Sequence, residues 1–98
     1  MKADFSALVA ILTEARRLLA RPGNDFCYSS WQDAPAALAE LDMQIAIVEK
    51  GRLPRKLDLE ILFGPTGPIQ EVSLSSGWGQ EFLDIAGRFD AAAERAYA

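Results

Sequence analysis

Apolar side chains follow two different periods along this chain. From Phe5 onward they recur at helical spacing: Phe5, Leu8, Leu12, Ala15 and Leu19, with Ile11 and Leu18 widening the stripe. Thr13, Glu14, Arg16, Arg17 and Arg21 take the opposite side. That spacing predicts an amphipathic helix over residues 4–20, with Asp4 as N-cap and Pro22-Gly23 as its stop. A second helix starts at Asp33, tolerates Pro35 in its first turn and ends before Gly51. Leu38, Leu41, Ile45 and Val48 share its apolar face, while Glu40, Gln44 and Glu49 mark its wet side. The longest stripe comes last. Trp78, Phe82, Ile85, Phe89, Ala92 and Ala96 predict a helix over residues 77–97, with Ser76 as N-cap and Asp84 and Arg88 as an i, i+4 pair. Gly87 inside it costs about 1 kcal/mol relative to Ala, which points to a close helix crossing there.

Between these helices the period changes. Residues 50–56 read as a linker broken by Gly51 and Pro54. After it Leu57, Leu59, Ile61 and Phe63 alternate with Asp58 and Glu60, the pattern of a half-buried strand. Gly64-Pro65-Thr66-Gly67 suits a tight turn, and residues 69–74 return as a partner strand. The expected fold is therefore α+β: two N-terminal helices, a β-hairpin (57–63 and 69–74) and a long C-terminal helix, in one domain over residues 1–98. Residues 24–32 read as an irregular segment that docks Trp31.

Hairpin register carries a consequence for function. Leu62 opposite Ile69 sets Leu59 against Val72 and Leu57 against Leu74 on the buried face. Glu60 and Glu71 then oppose one another on the outer face, with Asp58 one step along. Two facing carboxylates repel, so Arg55 or Lys56, a basic partner or a divalent cation has to neutralise them. The two open borders of a two-stranded sheet also favour association, including a homodimer paired through the hairpin edges.

Composition narrows the chemistry. The chain has 98 residues, no His, one Cys, and 10 Lys+Arg against 14 Asp+Glu for a net charge of −4. Without His the commonest general base is missing, and a lone Cys cannot make an intrachain disulfide or a multi-cysteine zinc site. Cys27 has no activating base nearby in sequence and reads as a small buried apolar residue. The serines lack a His or Ser-x-x-Lys partner. No catalytic residue, metal or cofactor is expected, and the protein is not expected to be an enzyme. An acidic surface disfavours nucleic acid and suits a basic protein. No stretch is apolar enough to span a bilayer and no export leader is expected, so with its single Cys the chain is placed in the cytoplasm.

Two loops invite comparison with anion sites. Gly64–Gly67 lacks the Lys-Ser/Thr and following helix of a phosphate loop and reads as a turn. Ser76, Gly77 and Gly79 lead into a helix and define a third, small-ligand reading, with ordinary capping as the simpler account. The basic linker (Lys50, Arg52, Arg55, Lys56) lacks interleaved aromatics and reads as a solvated face. Trp31 and Trp78 are expected core anchors, with Trp31 the candidate for an exposed binding hot spot.

The run from Leu62 through Gly64-Pro65-Thr66-Gly67-Pro68 to Glu71, followed by a Trp-bearing helix and preceded by Trp31, resembles small uncharacterised bacterial proteins. Those pair two helices with a Gly-rich hairpin and a final helix, and some of comparable layout serve as immunity partners of bacterial toxins. The resemblance implies an immunity- or antitoxin-like role; the residues themselves suggest a non-enzymatic protein-binding module whose contact residues are the outer carboxylates Asp58, Glu60 and Glu71, with Trp31. The competing expectations are the structural homo-oligomer and the small-ligand binder.

Overall fold

Why the middle of the chain is helical can be seen in what it buries. A computed structural model describes residues 5–98 and contains five helices: α1 (Ser6–Leu19), α2 (Ala34–Glu49), α3 (Lys56–Phe63), α4 (Pro68–Ser76) and α5 (Gly79–Ala96). The expected α+β fold and its hairpin are overturned, since no strand is present among the described residues. Residues 57–63 and 69–74 form α3 and α4 instead. α3 buries Leu59, Leu62 and Phe63, and α4 buries Ile69, Val72 and Ser73, both at +3, +4 spacing. Leu57 and Ile61 point to solvent. Lys, Leu and Glu are good helix formers, and Pro68 is the first residue of α4, where its missing N–H costs nothing. The Gly-rich stretch to which the hairpin resemblance was tied is thus the connection of a helical pair, closed by the Gly67 amide donating to the Gly64 carbonyl at 3.1 Å.

α1 and α5 largely match their stripes, whereas α2 turns Ala37, Leu41, Gln44 and Val48 inward and leaves the expected Leu38 and Ile45 only partly buried. α1 buries Leu8, Ile11, Leu12, Ala15, Leu18 and Leu19 and touches α2, α4 and α5, so it is the spine of the core. The Asp4 cap falls outside the described residues. Asp33 caps α2 as expected, its Oδ1 accepting from the Ala36 amide at 3.0 Å. Gln44 departs from its expected wet side: it is 5% exposed and its Oε1 has no hydrogen-bond partner among the described residues. α5 buries Phe82, Ile85, Phe89, Ala92 and Ala93. Arg88 pairs with Asp84 at 3.0 Å as expected, and also reaches Glu14 of α1 at 2.5 Å. Two details of α5 differ from expectation. Ser76 does not cap it: that residue ends α4, and its hydroxyl accepts from the Asp25 amide at 2.9 Å. Gly77, in the left-handed region at φ 85°, makes the bend between the two helices. Gly87 has open space where a side chain would stand, so no close crossing requires it.

The irregular segment works as a strap across α1, α4 and α5. Asn24 donates to the last carbonyls of α1, Leu18 and Leu19, at 2.9 and 3.0 Å, while its own oxygen accepts from the Trp78 indole at 2.9 Å. Ser29 Oγ donates to the Pro68 carbonyl and accepts from the Trp31 amide. Cys27, expected to be buried, is exposed.

Candidate functional site

Helix geometry decides which apolar side chains are left outside. With Leu59, Leu62 and Phe63 turned inward, Leu57 and Ile61 stand one turn apart as a ridge on the outer side of α3. Phe63 stacks on Phe89 of α5, ring centroids 4.4 Å apart and planes at 12°, which holds α3 against α5. Leu83 lies off the buried stripe of α5, and Leu74 closes α4 beside the start of α5, close enough that a Cβ on Gly79 would meet it at 3.4 Å.

These residues border three adjoining surface depressions. One of about 380 Å³ lies between Phe63, Pro65, Phe82, Leu83 and Phe89. A second, about 470 Å³, continues it past Leu83 to Leu74, Gly77 and Gly79. A third, about 360 Å³, runs from Pro65 to Ile61 and Leu57. The first shares Gln70, Phe82 and Leu83 with the second, and Glu60, Gly64 and Pro65 with the third. The result is one groove along α3, α4 and α5 as far as Asp90. Six large apolar side chains are strongly exposed among the described residues, and four of them line it: Leu57, Ile61, Leu74 and Leu83, each more than half exposed. The other two, Tyr28 and Met43, lie elsewhere. Every ionisable group lining the groove is acidic: Glu60, Glu81 and Asp90. Glu81 is paired with Arg21 at 2.8 Å, while Glu60 and Asp90 have no ion pair among the described residues.

The expected contact residues separate in this arrangement. Glu60 sits on the groove's rim. Asp58 occupies the first turn of α3, paired with Arg55 at 3.1 Å, and Glu71 the first turn of α4; both favour the positive end of their helix. The face-to-face Glu60–Glu71 arrangement depended on the hairpin and is absent with it. Trp31 is a core residue, 6% exposed, its indole donating to Glu40 at 3.0 Å, so it presents no surface anchor. Sequence reasoning missed Leu57, Ile61, Leu74 and Leu83 as a group. The available signal was Leu83, an apolar residue off the stripe of α5.

The Asp25 carboxylate, which accepts from the Cys27 amide at 2.8 Å, pushes the Cys27 thiol's pKa up and so holds it protonated. Tyr97 is raised above its ordinary value of 10.0 by burial first and then by the charges of Asp58 and Glu60. Its hydroxyl donates to the Pro54 carbonyl at 2.7 Å, which fixes the linker against the end of α5. The hydroxyls of Ser73 and Ser76 are engaged with the backbone at Gln70 and Asp25. Among the described residues no group of three Cys, Asp or Glu side chains is placed to hold a metal ion, and no helix is long and apolar enough to cross a membrane.

Comparison of the chain with protein-family models, with curated proteins and with solved structures finds no match for it.

Proposed function

We propose that this protein works by binding another protein, without catalysis, through the groove formed by α3, α4 and α5. The observation that carries this reading is the gathering of four of the six exposed large apolar side chains along one acid-rimmed track. Scattered surface leucines are ordinary, whereas a contiguous apolar track rimmed by one sign of charge has the anatomy of an interface. Its partner presents a basic, partly apolar surface, in keeping with an immunity- or antitoxin-like role in the cytoplasm. Glu60 and Asp90 steer the encounter, and the leucines and Ile61 supply affinity once water is expelled. The test is capture from the native host with the wild-type chain and with Leu83→Lys, followed by reconstitution from the purified partner. A basic partner that binds the wild type and is lost by the variant upholds the reading; equal binding to both defeats it.

A second reading, self-association, has its own observation. Among the described residues α2 packs on α1 and on no other helix, and it leaves Met43 54% exposed between Ala36, Ala39 and Ala46. The hairpin-edge dimer has no strand to form it. Sedimentation of the wild type and of Met43→Glu separates the readings: a dimer that the variant dissolves places the contact on α2.

A further inference from the structure

We infer that the occupant of the groove is a single amphipathic helix with a basic outer face, an inference that rests on the protein-binding reading above. The helices of the walls present side chains to the groove, and no strand edge exists among the described residues to pair with an extended chain. An extended peptide laid along Leu57, Ile61, Leu83 and Phe89 would bring unpaired N–H and C=O groups against apolar side chains, each costing about 1–3 kcal/mol. A helix arrives with those groups already paired, and recognition reduces to fitting side chains into depressions.

Leu57 and Ile61 form an i, i+4 ridge on α3, the kind of row that seats between the side-chain rows of a neighbouring helix. Beyond that ridge the stacked Phe63–Phe89 pair lines the first depression, and Leu74 and Leu83 border the second. Successive anchors on one face of a helix therefore meet successive depressions along one track.

Glu60 and Asp90 line the track with no ion pair among the described residues, Glu81 is already paired with Arg21, and no lysine or arginine lines it, so the polar face of the occupant is basic. A second copy of this chain is the poorer occupant, because its net charge of −4 would bring acid onto acid.

The experiment uses the whole isotopically labelled chain and three synthetic peptides of ~18 residues, long enough for about five helical turns. The first spaces Leu at i, i+3, i+4 and i+7 with Lys elsewhere. The second has the same composition in strict alternation, and the third keeps the helical spacing with Glu in place of Lys. The first is expected to bind at least about ten-fold tighter than the other two, a difference of ~1.4 kcal/mol, with amide shifts confined to α3, α4 and α5 as far as Asp90. Leu83→Lys, at an exposed position, is expected to weaken that binding at least about ten-fold while leaving the melting temperature unchanged. Equal affinity for the alternating or the acidic peptide, shifts centred on α1 and α2, or full binding by Leu83→Lys would overturn the inference. So would a homodimer that competes with the peptide and is abolished by Leu83→Lys. If Leu83→Lys loses the natural partner while the helical peptide is ignored, the groove reading stands and the helical occupant fails. If the variant keeps the natural partner, the groove reading itself fails.

Discussion

At Gly67 the chain has room for a hydrogen and for nothing larger. A Cβ there would collide with the Ile61 carbonyl oxygen, and one on Gly64 would stand 2.7 Å from the Glu60 carbonyl oxygen. The loop is pressed that closely onto the end of α3, and the neighbouring Thr66 is driven to φ 60°, a strained value for a β-branched residue. Gly87 has the opposite surroundings, with nothing within contact range. Gly67→Ala is therefore expected to lower unfolding free energy by about 1–3 kcal/mol, while Gly87→Ala raises it by about 1 kcal/mol through helix propensity alone. Urea titration of the two variants checks both signs. Gln44 offers another stabilising change. Its buried oxygen has no partner among the described residues, so Gln44→Met, similar in length and shape, is expected to add about 1 kcal/mol in the same assay. A loss of stability would show that the amide makes a contact worth keeping.

At the scale of elements, α1, α2 and α5 were legible because each carries a stripe over several turns, bounded at α2 by Asp33 and at α1 by Pro22-Gly23. α3 was not, because over eight residues the two periods nearly coincide. Leu57, Leu59, Ile61 and Phe63 satisfy alternation, and Leu59, Leu62 and Phe63 satisfy a helix. Leu62 was the odd residue: on a strand it faces outward with Asp58 and Glu60, on a helix it joins the core. Pro68 carried the same message, since a residue that cannot complete a ladder begins a helix comfortably. One pair of substitutions separates the two patterns. The strand would bury Leu59 and Ile61 together, whereas α3 buries Leu59 completely and leaves Ile61 55% exposed. Leu59→Ala is expected to cost about 2–5 kcal/mol and Ile61→Ala less than about 0.5 kcal/mol in chemical denaturation. Comparable losses at both positions would contradict a helical α3. The groove inherits the same history. Glu60 was visible as a surface acid, but its apolar half was hidden because Leu57, Ile61 and Leu74 had been assigned to the buried face of a hairpin.

On the scale of the whole molecule, the helices separate two tasks. α1 runs through the core, while the outer sides of α3, α4 and α5 carry apolar side chains that the core leaves out. Raising ionic strength from about 0.05 to 0.5 M shortens the screening length from ~14 to ~4 Å. Partner binding through the groove is therefore expected to weaken several-fold over that range, mainly through a slower association rate, because Glu60 and Asp90 act at the rim. Stopped-flow association at increasing salt tests this, and a salt-independent rate would remove the carboxylates from the account. Enclosure of both indoles has a practical result of a different kind. Trp31 and Trp78 are 6% and 3% exposed, each with its ring nitrogen bonded, and neither lines the groove. Their emission is expected to redden when denaturant opens the interior, so the chain carries its own optical reporter of unfolding, and a bound ligand shows itself in that signal by moving the denaturation midpoint upward.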